Sequence, residues 1–384
     1  EMVQAITELQ SEGMQSLILD LRGNGGGYLN VAVDICDQFL SGDKLIVYTK
    51  GAKSPRQELK AQKKGLFEQG RLVIMVDESS ASASEILSGA VQDWDRGVIV
   101  GRRTFGKGLV QRPFDMYDGS QIRLTTSRYY TPSGRCIQKP YDAGVEEYQM
   151  DYYNRLSHGE LLSADSVHFA DSLRCFTSGN RLVYGGGGIM PDVFVPIDTM
   201  RASDYMINLR SKGLFNSFAL NWTEENREQF LKKAPTYDKF SKEYEKMNVL
   251  SEFEKYAEQE GVSRNAIKKE WVNIMVSDYL KKEMSDSTAR SYESYSDYAE
   301  SLISDDKMLK EIMQKAKEED KKNDLINKES DKYIASTIKA LIARNLYGMK
   351  YYYMTTFEND RELKEAIDVL KDNKKYNSIL KAQK

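Results

Sequence analysis

The sequence predicts an α/β core followed by a helical domain, and two observations carry that prediction. All but three of the glycines and all but one of the prolines precede residue 199. Before that point, short apolar runs alternate with amphipathic segments, the order produced when strands and covering helices take turns along a chain. Beyond it the chain is rich in Lys, Glu, Tyr and Met and nearly free of helix breakers. These patterns divide the chain into residues 1–198 and residues 199–384, with a polar insertion at about 140–186 in the first part.

The elements follow in order. EMVQAITELQSEG opens the chain as a helix that leads directly into a buried strand, SLILDLRG (16–23). NVAVDICDQFL (30–40) reads as a helix and KLIVYTKG (44–51) as a strand. RLVIMVD (71–77) is an apolar strand that turns, through a cluster of small serines, into a helix over SEILSGAVQDW (84–94). RGVIVG (96–101) and the stretches near 107–114 and 121–130 complete the strands. The insertion is rich in Tyr, Asp and Ser and holds both histidines of the chain, His158 and His168; it reads as a surface excursion that can border a substrate channel. In the second half, Phe215, Phe218, Ala219 and Trp222 recur at i, i+3, i+4 and i+7. Leu363, Ala366, Ile367 and Leu370 repeat that pattern after an N-cap at Asp360, and Ile334, Ile338, Leu341 and Ile342 form another apolar face. The run KAKEEDKKNDLINKESDK (315–332) reads as a solvated helix face and linker.

The segment ESSASASEILSGAVQDWDRGVIVGRRTFGKGLVQ (78–111) is the one that points to chemistry. A serine at a strand-to-helix turn sits beside unpaired N–H groups that carry partial positive charge. Ser82 holds that place, although Ser79, Ser80 and Ser84 fit the same turn as simple caps. The N–H of Ala83 is one candidate donor to an oxyanion. The backbone of Gly26 or Gly27 is the second, because glycine permits the closest approach to a reacting carbonyl. Neither histidine lies near this cluster, which leaves Lys107 as the candidate base. A lysine with a free pKa near 10.4 must be neutral to act, and burial among Phe105, Leu109 and Val110 is the expected means. If TFGKGLVQ is a strand throughout, Lys107 and Gln111 share one face, and the Gln111 amide can orient the amine.

These motifs resemble the C-terminal processing peptidases, or tail-specific proteases, of serine peptidase family S41. SSASASEI, the following QD and TFGKGLVQ are similar to that family's active-site region, and LILDLRGNGGGYL (17–29) to its glycine-rich strand-end motif. RYYTPSGRCIQ (128–138) and GIMPDVFVP (188–196) match in the same order, so the resemblance covers roughly residues 1–198. It implies a crotonase-like (ClpP/crotonase) ββα superhelix and a serine endopeptidase with Ser82 as nucleophile, Lys107 as base and Gln111 as orienter. It places Asp93 in a supporting role. It also implies protein substrates with apolar C-terminal tails, no cofactor and a periplasmic or otherwise exported location. Family members carry an export signal, a PDZ domain and a further core strand before the point where this chain opens; none is visible here, and we expect a fragment or processed form. Helical extensions in the family serve assembly, substrate enclosure or adaptor docking, so a homo-oligomer or an adaptor protein is the partner expected for the second half.

Other function classes fit less well. GRRTFGKG (101–108) lacks the hydroxyl residue that completes a phosphate-binding loop, and GNGGGY (23–28) ends in Tyr28 where a dinucleotide fingerprint has glycine. Cys36, Cys136 and Cys175 have no metal-ligand spacing, although Cys136 and Cys175 flank the insertion and can pair. A net charge of −3 gives no basic field for nucleic acid. Asp20 and Arg22 read as a structural ion pair at a strand end. Two rivals remain: a crotonase-like enzyme acting on acyl thioesters, for which no adenine-binding signal is present, and a non-catalytic scaffold that binds tails and partners.

Overall fold

The runs LVIMV and VIVG are apolar at every position instead of at alternate ones, as strands covered on both faces require. The computed structural model describes residues 1–142, 144–198, 203–264 and 330–381. In it, β1 (Ser16–Asp20), β4 (Arg71–Val76), β5 (Val98–Gly101) and β10 (Val193–Phe194) form a parallel sheet in the order β1-β4-β5-β10. A second, antiparallel sheet runs β3-β2-β7-β6, built from β2 (Leu45–Lys50), β3 (Gln57–Lys60), β6 (Leu109–Asp115) and β7 (Gln121–Tyr130). Helix α1 (Met2–Ser11) precedes these strands in sequence, and α2 (Leu29–Cys36) and α3 (Ala83–Asp93) lie between them. The insertion contributes α4 (Val145–Ser157) and a small hairpin of β8 (Arg174–Phe176) and β9 (Leu182–Tyr184). This is the mixed α/β core that the alternating pattern predicts.

Side-chain alternation in β4 serves two cores at once. Leu72, Ile74 and Val76 join Phe39, Leu40, Ile46, Ile86, Ala90 and Val91 in a cluster that includes α2, α3 and the second sheet. Val73 and Met75, with Val98 and Val100 of β5, face the other way and meet Ala366, Val369, Leu370 and Tyr376. Those last residues belong to the C-terminal helix pair, Arg361–Lys371 and Asn373–Ile379. The Tyr376 hydroxyl closes the contact by accepting from the Leu72 N–H and donating to the Leu72 carbonyl, both at 3.0 Å.

The chain accordingly divides into residues 1–197 together with 361–384, and residues 198–360. This corrects the expectation of one helical domain over 199–384. Of the expected stripe, Leu363, Ala366 and Leu370 are packed there and Ile367 is not, its place being taken by Val369; the partner is the parallel sheet together with Tyr376 of the following helix, and not the helices of residues 198–360. A period of 3.6 reports that a face must be buried without reporting against what. Among its described residues, the second unit is helical. It holds helices Asp204–Ser211, Leu214–Lys233, Tyr237–Tyr244, Val249–Gln259 and Met349–Phe357, and a helical stretch at 330–347. Phe215, Phe218, Ala219, Trp222, Ile334, Ile338, Leu341 and Ile342 all enter one core there, as their spacing predicts. Residues 315–329 of the charged run lie outside the described residues.

Removing Leu370 therefore unseats a layer of the α/β core. Leu370→Ala is expected to lower unfolding free energy by about 2–4 kcal/mol, whereas the exposed neighbour Lys371→Ala stays within about 0.5 kcal/mol. Urea denaturation of both variants checks this, and equal midpoints would refute the packing role.

Candidate active site

Three loops leave the carboxyl ends of β1, β4 and β5 on one edge of the parallel sheet, and they carry the residues singled out from sequence. The first holds Gly23 to Gly27, the second Asp77 to Ser82, and the third Arg102 to Gly108. The first two are fastened together. Asp77 accepts from the Gly23 N–H at 3.0 Å, and Ser80 Oγ donates to the Leu21 carbonyl at 2.8 Å. The Asn24 carbonyl accepts from the Ala81 N–H at 3.0 Å and from Ser84 Oγ at 2.9 Å. Ser80 and Ser84 are thus buried and committed to holding the turn. That separates them from Ser82, which sequence alone could not do.

Ser82 has φ 57° and ψ −111° at the first position before α3, and its residue is partly exposed. A non-glycine residue in this region is strained and persists only where its surroundings hold it. The holder is Glu85, a residue that sequence reasoning passed over. Its carboxylate is fully buried and accepts four hydrogen bonds. Oε1 takes them from Thr104 Oγ1 at 2.6 Å and the Gly106 N–H at 2.7 Å. Oε2 takes them from the N–H groups of Ser82 and Lys107, both at 2.8 Å. Burial pushes the Glu85 pKa up, and the four donors pull it back. One buried charge therefore joins the serine turn to the lysine loop. The spacing S-x-x-E at a helix start was the signal that could have found it.

Gly26 and Gly27 separate clearly. A Cβ on Gly26, where φ is +92°, would stand 2.5 Å from the Ala81 carbonyl oxygen, 2.7 Å from the Ala83 nitrogen and 2.9 Å from Ser82 Cβ. Gly27 has nothing within 4 Å of such an atom. Gly26 is the glycine pressed against the start of α3, beside the N–H of Ala83.

Two expectations about the lysine loop need correction. Lys107 is exposed, not buried, and its ammonium makes no hydrogen bond or ion pair among the described residues. Residues 104–108 are not strand; β6 begins at Leu109, and the β6–β7 register shifts between Val110 and Gln111. The two-residue alternation that put Lys107 and Gln111 on one face is broken by that irregularity. Among the described residues, no hydrogen bond joins the Ser82 hydroxyl, the Lys107 amine and the exposed Gln111 amide.

The insertion braces the same loop from outside. Arg155 of α4 is buried and donates to the carbonyls of Thr104 at 2.8 Å and Phe105 at 3.2 Å. Lys139 lies 4.1 Å from the ring centres of both Phe105 and Tyr148 and pairs with Asp151 at 2.9 Å. Burial pulls the Lys139 pKa down, and Asp151 partly restores it. Asp93 sits at the far end of α3 from Ser82, where it is buried and pairs with Arg135 at 2.5 Å and accepts from the Ser133 N–H at 2.9 Å. Asp20 and Arg22 form the expected ion pair at 2.7 Å. His158 and His168 are exposed, and neither bonds to Ser82. Cys136 and Cys175 are free thiols.

A serine at a strained helix start, joined through Glu85 to the backbone of the Lys107 loop, marks this edge of the α/β core as the candidate site. Residues 1–147 match the model of peptidase family S41. Residues 205–274 and 264–348 match a family of unknown function, DUF8443. Over 189 residues the chain is 34% identical to a carboxyl-terminal-processing protease of Synechocystis, covering 49% of this chain and 43% of the relative. Over 136 residues it is 40% identical to the chloroplastic C-terminal processing peptidase of Tetradesmus obliquus, covering 35% of this chain and 29% of the relative. The chain thus spans under half the length of these curated relatives. A solved photosystem II D1 C-terminal processing protease aligns at 29% identity over 53% of this chain and 40% of that one, with a TM-score of 0.37. Among the described residues, no helix is long and apolar enough to cross a membrane.

Two substitutions probe the geometry directly. Glu85→Gln offers an amide NH2 where only donors point, and is expected to lower stability by about 1–3 kcal/mol in urea denaturation. Gly26→Ala is expected to lower stability by a similar amount, about 1–3 kcal/mol, with Gly27→Ala close to wild type. Equal behaviour of the two glycines would remove Gly26 from the site.

Proposed function

We propose that this chain carries the core of a serine endopeptidase that cleaves proteins recognised by their C-terminal tails. The observation that carries the reading is the Glu85 carboxylate, which bonds to the backbone of both Ser82 and Lys107. The S41 match over residues 1–147 supports the same class. The names of the relatives support C-terminal processing.

In this reading Ser82 Oγ attacks the scissile carbonyl carbon while Lys107 Nζ accepts the hydroxyl proton. The Ala83 N–H and the Gly26 backbone stabilise the oxyanion that forms. As the C–N bond breaks, Lys107 returns the proton to the leaving amine, and water then hydrolyses the acyl-enzyme. Gln111 orients the amine when substrate is bound. Hydrogen bonds of this kind are often long before substrate binds, so their absence here does not remove the assignment. Lys107 is exposed, and the desolvation a lysine base needs comes with the bound peptide. The crotonase-like superhelix, an exported location, apolar tail preference and assembly or adaptor contact through residues 198–360 belong to the same proposal.

Cleavage of an unstructured protein with an apolar tail by the full-length protein tests it. Ser82→Ala and Lys107→Ala are each expected to lower kcat by about 100- to 10,000-fold with folding intact. Lys107→Arg is expected to be equally inactive, since the guanidinium stays protonated. Retained cleavage in Ser82→Ala would assign the nucleophile elsewhere.

A further inference from the structure

We propose that Glu362, in the C-terminal helix pair, is a positioning residue for the Ser82 site; this rests on the peptidase reading above. Glu362 lies 340 residues from Arg22 in sequence, yet its Oε2 accepts from Arg22 Nη1 at 2.8 Å. Its Oε1 accepts from Arg102 Nη1. Arg22 follows β1 directly and precedes the loop that carries Gly26. Arg102 follows β5 directly and precedes the loop that carries Lys107. Between them, Arg102 Nε donates to Glu78 at 2.7 Å, and Glu78 precedes the turn that carries Ser82. One carboxylate thus ties the outer two of the three strand ends from which the site is built, and through Arg102 it reaches the middle one.

The charge pattern separates positioning from folding. Arg22 pairs with Asp20 at 2.7 Å, and Arg102 pairs with Glu78 at 2.7 Å, through contacts that do not involve Glu362. Among the described contacts, removing the Glu362 charge leaves Arg22 with Asp20 and Arg102 with Glu78. What Glu362 adds is the bridge between them. The helix that bears it is seated independently by Ala366, Val369 and Leu370 against the sheet. Loss of the bridge therefore lets the Gly26 and Lys107 loops shift relative to each other while the fold stays closed.

The test compares wild type, Glu362→Gln and Glu362→Asp in the full-length protein, with Ser82→Ala as control. The readouts are the rate of labelling by a fluorophosphonate probe, mapped to residue by mass spectrometry, kcat and KM on a tailed protein, and thermal unfolding by circular dichroism. Glu362→Gln is expected to slow Ser82 labelling and to lower kcat by about 10- to 100-fold, with KM and the unfolding midpoint close to wild type. Glu362→Asp, which keeps the charge on a shorter arm, is expected to recover part of the labelling rate. Labelling of Glu362→Gln at the wild-type rate would overturn the inference and leave the peptidase reading standing. A loss of labelling matched by a collapse of the unfolding transition, unrelieved in Glu362→Asp, would reduce Glu362 to a fold-stabilising residue and overturn the inference too. Wild type hydrolysing substrate without labelling at Ser82 would instead overturn the nucleophile assignment, and this inference with it.

Discussion

A charged carboxylate with no solvent around it is tolerated only where it is surrounded by donors, and Glu85 is that case. Its four partners come from two loops that share no strand: Ser82 on one side, and Thr104, Gly106 and Lys107 on the other. The three backbone N–H groups among them would be left without these bonds if the loops separated. The constraint runs both ways. The carboxylate fixes where the loops go, and the loops make its burial possible. The strained backbone at Ser82 is held in part by this carboxylate, which accepts from the Ser82 N–H. Strain of this kind needs an over-determined surrounding. The bonds from Ser80, Ala81 and Ser84 to the Gly26 loop supply the rest of it.

The sheet beneath imposes the second constraint. A parallel strand such as β4 is apolar on both faces and must be covered on both. Residues 1–197 cover one face with α2, α3 and the antiparallel sheet, and the other face waits for residues 361–380, which the chain reaches only after the whole unit 198–360. The α/β core is therefore discontinuous in sequence. The same helix pair that completes its second hydrophobic layer also carries Glu362 to the strand ends. Packing and electrostatics at that edge come from one element.

Legibility in the sequence follows the range of the interaction. Uninterrupted apolar runs reported the parallel strands, and a serine cluster at a strand-to-helix junction reported the turn. Both are local signals. Glu85 was equally local, three residues after Ser82, but it reads as an ordinary helix cap until Thr104, Gly106 and Lys107 are seen to converge on it. The shared face expected for Lys107 and Gln111 was not legible, because alternation assumes a regular strand, and neither the late start of β6 nor its register shift leaves a mark in TFGKGLVQ. The domain boundary was misplaced for the opposite reason. Leu363, Ala366 and Leu370 of the expected stripe are packed against the sheet while Ile367 is not, and the identity of the partner is a long-range fact that periodicity does not contain.

Lys107 ties these points together. Its backbone is fixed by Glu85, its neighbours Thr104 and Phe105 are gripped by Arg155, and the Phe105 ring lies against Lys139. Its side chain, by contrast, extends into solvent. A proposed base so arranged has a fixed origin and a free end. The exposed amine is surrounded by water, so the proposed catalysis by Lys107 requires something to displace that water. A peptide laid across the strand ends toward Ser82 would cover the same space. The entropy of the lysine arm and the desolvation of its amine would then be settled at binding, before the proton moves. In the proposed mechanism, then, backbone strain positions Ser82 and the substrate completes the setting of Lys107.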